Sequence, residues 1–127
     1  MRFCLSAEFP ATHRIRIDTR GTLEPLHAHN WRVHAWLEAV DDDSKPLTAA
    51  RSLLHEWVAR HDGNCFNDIP PFERVNPTAE EVARVVAELL EEQVPGVRVL
   101  RVEIGEAAGF SAIYWPEGPD STGPDPS

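Results

Sequence analysis

The sequence predicts a single α+β domain of order β-β-α-α-β-β, and three observations carry that prediction. Apolar residues alternate with polar ones near both ends of the chain, the period of a half-buried strand. The middle carries two apolar stripes at helical spacing. Turn-forming residues separate these runs, and the length of 127 residues suits one core rather than two.

Phe3, Leu5, Ala7, Phe9 and Ala11 share one parity, which His13 continues. Arg14 to Pro25 is polar and holds Asp18, Gly21 and Pro25, the composition of a loop or excursion. A second strand runs from His27 to Val40, with Trp31, Val33, Ala35, Leu37 and Ala39 on one face and His27 and His29 on the same parity. Asp41, Asp42 and Asp43 end it. A helix follows over about 47–60, capped by Thr48, with Ala50, Leu53, Leu54, Trp57 and Val58 as its apolar stripe. Residues 62–71 read as loop.

The second helix has the clearest start. Either Asn76 caps it with Pro77 at the first position, or Thr78 and Glu81 form a capping box. Val82, Val85, Val86, Leu89 and Leu90 line one face, and Pro95-Gly96 stops it. Leu100, Val102, Ile104 and Glu106 alternate as a third strand, and residues 110–115 form a fourth. The four strands should make one antiparallel sheet with both helices on a single face, leaving open edges suited to edge-to-edge assembly. The domain spans 1–115, and the Pro-, Gly- and Ser-rich stretch 116–127 reads as a disordered tail.

Twelve basic residues against 21 acidic ones give a net charge of −9, a field that repels phosphate backbones and anionic membrane surfaces. Neither nucleic acid nor membrane is expected as a partner. No apolar run has the length of a membrane span, and Glu8 interrupts the N-terminal stretch early, so the expected address is the cytoplasm. Cys4 and Cys65 are too few for a disulfide framework and read as free thiols.

The chemistry gathers on histidine. His27-Ala28-His29 sets two imidazoles on one strand face, about 7 Å apart along the backbone. His13, from the end of the neighbouring strand, can complete a three-imidazole set. That is the donor number of a catalytic zinc site, which keeps its fourth position open. All three lie on core-facing parity, where an unpartnered polar ring is costly and a metal ion is one good partner. His34 has the opposite parity and His55 lies on the outer side of the first helix, so both are expected to face solvent.

An ordered set of short motifs then stands out: Phe9-x-Ala11-x-His13, His27-Ala28-His29-Asn30-Trp31, Phe66-Asn67, Asn76-Pro77-Thr78-Ala79-Glu80 and Val102-x-Ile104-x-Glu106. Together they resemble the 6-pyruvoyl-tetrahydropterin synthase / 6-carboxy-tetrahydropterin synthase family over roughly residues 1–115. The resemblance implies the T-fold, with subunits joined edge to edge into barrels as trimers or hexamers and active sites at their interfaces. It also implies Zn2+ on His13, His27 and His29, a pterin anchored by Glu106, and Thr78 touching that pterin. A carboxylate is apt for the anchor, because it accepts two parallel hydrogen bonds from an amino-pyrimidinone edge.

The chain departs from the family at the proton-transfer groups. The family's cysteine before the His-x-His pair is missing from Thr22-Leu23-Glu24-Pro25-Leu26-His27, and Ala28 replaces a glycine. Asp62 of the usual Asp-His pair is kept, but Gly63 stands in the histidine's place and His61 lies one position early. A type III-like subgroup of the family carries glutamate instead of the cysteine and cleaves the dihydroneopterin triphosphate side chain. That makes Glu24 the candidate base, with Asp62 and His61 as candidate partners. Arg14, Arg16 and Arg20 are candidates to meet a triphosphate, and Cys65 to approach the site. The expected function is a zinc-dependent lyase acting on the side chain of dihydroneopterin triphosphate or a related pterin. Two alternatives stay open: a non-catalytic homologue that binds zinc and a pterin or purine, and an enzyme of the same scaffold working on another heterocycle.

Overall fold

The computed structural model describes residues 1–41, 43–107 and 109–118; most of the stretch expected to be a disordered tail lies outside them. Strands β1 (Arg2–His13) and β2 (His27–Ala39) precede helices α1 (Lys45–His61) and α2 (Ala79–Gln93), and strands β3 (Val97–Ala107) and β4 (Phe110–Tyr114) follow. The sheet is antiparallel with the order β1-β2-β3-β4. A short 310 turn, Phe66–Asp68, interrupts the loop after α1.

Strand parity decides what is buried. Leu5, Phe9, Ala11 and His13 of β1 and Trp31, Val33, Ala35, Leu37 and Ala39 of β2 all face the helical layer. There Leu5, Phe9, Ala11, Trp31, Val33, Ala35 and Leu37 pack with Ala50, Leu54 and Trp57 of α1 and Val82, Val86 and Leu90 of α2. The β1–β2 ladder runs unbroken from Arg2 opposite Glu38 to its last pair, His13 opposite His27. Two irregularities mark β3. Leu100 is an extra residue between the pairs Trp36–Arg101 and Leu37–Val99, so Val99 and Leu100 are both buried. Glu106 falls between Gly105–Ser111 and Ala107–Phe110, a bulge that re-aims its side chain at the strand end.

The helix starts test the capping arguments in opposite ways. Thr78 is the N-cap of α2, its Oγ1 accepting the Glu81 amide at 3.2 Å. Thr48 is not the cap of α1. That helix begins at Lys45, because Pro46 suits the first turn, and the Asp43 carboxylate accepts the Lys45 amide at 3.0 Å. Among the described residues no helix is long and apolar enough to cross a membrane. Thr78→Ala is expected to lower the unfolding free energy by about 1 kcal/mol in urea titrations, whereas Thr48→Ala should change it by less than about 0.5 kcal/mol.

Candidate metal centre

The last pair of the β1–β2 ladder brings His13 against His27, and His29 follows two residues along the same face. The three rings lie 4.6–5.1 Å apart between centroids, each nearly perpendicular to the others. One ligand nitrogen from each lies within 4.8 Å of the other two. Beneath them the buried indole of Trp31 packs edge-on against His13 and His29 and donates its Nε1–H to the Ala11 carbonyl. The floor of the site is therefore dry and fixed.

Hydrogen bonds set the direction of two of the three lone pairs. His13 Nδ1 lies 2.9 Å from the carbonyl oxygen of Pro77, and His27 Nδ1 lies 3.0 Å from that of Pro25. A carbonyl only accepts, so both rings carry hydrogen on Nδ1 and, when neutral, present a bare lone pair on Nε2. These two Nε2 atoms stand 3.0 Å apart. His29 Nε2 is buried without a partner. Lone pairs so disposed need a cation among them. A proton is a poor choice on His13, whose pKa is held below the ordinary imidazole value mainly by burial, against opposing contributions from the Pro77 bond and Glu106. Three imidazole nitrogens with the far nitrogen of two rings tied to carbonyls match the donor set of a four-coordinate zinc site with one open position.

Two carboxylates flank the triad. Glu24 reaches 3.6 Å from His27 Nε2 and accepts the Ile15 amide at 3.1 Å. Glu106 comes within 3.9 Å of His13 Nε2, and its buried Oε2 has no partner. It also lines a cavity of about 280 Å3 with Ile15, Thr78, Ala79, Glu80, Phe110 and Ala112. Thr78 thus serves helix and cavity together.

Not every candidate converges on this point. His61 belongs to the core: its Nδ1 bonds the Trp57 carbonyl at 2.7 Å, its ring stacks on Trp57, and its other ring contacts are Phe66 and Phe72. That placement separates it from the histidine triad, where none of its ring contacts lies. Asp62 is the exposed C-cap of α1. Cys65 is half-buried, its Sγ directed at Asn67 Oδ1 at 3.7 Å. Arg16 donates to the Arg74 carbonyl, and Arg20 is exposed. His55 is exposed as expected, whereas His34 is half-buried beside Arg32 and Glu103 on the uncovered sheet face. The sequence reading overlooked Pro77 as the acceptor for His13, since no local pattern signals a contact across 64 residues.

A helix-backed antiparallel sheet with three converging imidazoles and a carboxylate-lined cavity defines the tetrahydropterin synthase class of T-fold domains. The chain belongs to the 6-pyruvoyl tetrahydropterin synthase family, whose model matches residues 3–117. The 6-pyruvoyl tetrahydropterin synthase of Caenorhabditis elegans superposes with a TM-score of 0.70 at 18% identity, over 91% of this chain and 94% of that one. The Plasmodium falciparum synthase gives 0.60 at 16% identity, over 89% and 96%. A Plasmodium vivax synthase described as a catalytic-residue mutant, glutamate to alanine, gives 0.60 at 16% identity, over 90% and 97%. No curated protein sequence matches the chain.

The burial of His61 has its own consequence. Desolvation holds its pKa below the ordinary value of 6.5, opposed by the Trp57 bond. The unfolded chain therefore takes up this proton at a higher pH than the folded one. Stability is fully present above about pH 6.5 and declines as pH falls through that value towards the depressed folded pKa. Urea unfolding of metal-free protein should show this decline, and His61→Phe, which suits the aromatic surroundings, should make it shallower, the buried His13 supplying what remains.

Proposed function

We propose that this protein is a zinc-dependent lyase acting on the side chain of dihydroneopterin triphosphate or a closely related pterin. The observation that carries the reading is the convergence of three imidazole nitrogens between two carboxylates, one beside His27 and one lining a cavity. His13, His27 and His29 would hold Zn2+, which when bound polarises oxygens of the substrate side chain. Glu106 would accept the amino-pyrimidinone edge of the ring, and its partnerless buried oxygen supports that role. Thr78 would contribute its hydroxyl beside the ring.

Glu24 would accept the proton removed from the substrate side chain, in place of the thiol this chain lacks. Two facts favour it over His61 and Asp62. Its carboxylate already lies beside a triad imidazole, whereas His61 is in the core and Asp62 is at the surface. In addition, the Plasmodium vivax synthase has been solved with a glutamate, described as a catalytic residue, changed to alanine and to cysteine. The outer edges of β1 and β4, on which the described residues place no further strand and of which β1 is bonded at its end by the loop at 63–65, support assembly into a homo-oligomer, trimer or hexamer.

Metal analysis of purified protein should find about one zinc per chain, and His29→Ala should lose it; native protein without bound metal would refute the zinc assignment. Incubation with dihydroneopterin triphosphate and identification of the product tests the reaction itself, and unchanged substrate would rule it out. Glu24→Gln should lower kcat by roughly 10²–10⁴-fold, while Glu106→Gln should act chiefly through KM.

A further inference from the structure

Between His13 and Glu24 the chain leaves the sheet, yet residues 14–16 keep the hydrogen-bonding habit of a strand. On one side their partners are side chains. Asn67 accepts the Arg14 amide through Oδ1 at 2.9 Å and donates Nδ2–H to the Arg14 carbonyl at 2.8 Å. Asn76 does the same for Arg16, at 2.9 and 3.1 Å. A carboxamide carries one acceptor and one donor in the arrangement of a peptide group, so each asparagine stands in for a residue of a missing neighbouring strand. Backbone groups alternate sides along an extended chain. Pinning Arg14 and Arg16 therefore turns the Ile15 groups the other way, towards Glu24.

Glu24 closes the same two-bond pattern there. Its amide donates to the Ile15 carbonyl at 2.9 Å, and the Ile15 amide donates to its Oε1 at 3.1 Å. That same oxygen lies 3.6 Å from His27 Nε2. We infer that Asn67 and Asn76 are positioning residues, a two-amide clamp that holds the carboxylate of Glu24 against the histidine triad by way of Ile15. Both asparagines bond the chain at Arg14 and Arg16 rather than at the triad, and each does so from a different segment, Asn67 within the 310 turn and Asn76 just before α2. The inference rests on reading Glu24 as the base, but the clamp is measurable without turnover.

The test is a double-mutant cycle on the zinc-loaded full chain. Asn67→Ala and Asn76→Ala, each made with and without Glu24→Gln, are assayed on dihydroneopterin triphosphate. With Glu24 in place, each is expected to lower kcat about 10–100-fold with KM within about twofold. With Glu24→Gln already present, neither should cost anything further. Equal losses in both backgrounds would overturn the inference, because a merely structural asparagine would harm both alike. The second arm uses no substrate: exchange of the Ile15 amide, followed by 15N NMR, should quicken at least about tenfold in Glu24→Ala, which removes the acceptor, and in each asparagine variant. An Ile15 amide as protected in the asparagine variants as in the parent would also overturn it. If substrate stays untouched while Ile15 exchange responds, the proposed reaction fails and the clamp stands. Should an alanine variant not fold, Asn67→Asp and Asn76→Asp, which keep the acceptor and lose the donor, are read by the same two criteria.

Discussion

The hydrogen bond from the buried ring of His13 to the carbonyl of Pro77 joins the strand layer to the helical layer at the point where chemistry is possible. Pro77 sits one residue before the cap of α2, so its carbonyl is placed by the start of that helix. Once the Nδ1 proton is committed there, Nε2 must face His27 and Glu106. The ring has no freedom to turn, because Trp31 packs edge-on against it. Cap, carbonyl, imidazole and indole thus form one rigid corner. Any ion held there would meet donors that need no reorganisation before binding.

Much of the fold was legible because a strand with one buried face writes its orientation into alternate residues. His13, His27 and His29 share parity with Phe9, Trp31 and Val33, so their convergence followed from the same pattern that defines the core. The first helix shows where that reading stopped short. Its stripe continues from Ala50, Leu54 and Trp57 to His61 at spacings of four, three and four, the core-facing spacing of a helix. Helical period thus marks His61 as a core residue despite its place beside Asp62. The residue type of Thr48 fits a cap, whereas Pro46 and the Asp43 carboxylate set the true start. The roles of Asn67 and Asn76 had no local signature, since their partners lie 53 and 60 residues away.

The position of Glu24 is set by the fold of its own loop. A glutamate on a free loop would sample many rotamers and spend most of its time in water. Here the loop is folded back on itself, with Ile17 bonded to Thr22 and the Asp18 carboxylate accepting the Arg20 and Thr22 amides. The turn so formed returns the chain in register, and Glu24 meets Ile15 through backbone and side chain together. The residue is therefore held at both ends, so its carboxylate has little conformational freedom left to lose.

That arrangement divides the site into two parts with different origins. The imidazoles and Glu106 come from the ends of β1, β2 and β3, and their geometry is inherited from the sheet itself. Glu24 comes from outside the sheet, and its geometry is borrowed from side-chain amides that imitate a strand. The carboxylate carried by the excursion can therefore vary without disturbing the ladder that sets the three imidazoles. In this chain the segment Thr22-Leu23-Glu24-Pro25-Leu26-His27 carries a carboxylate and no thiol, while all three imidazoles sit on the ladder.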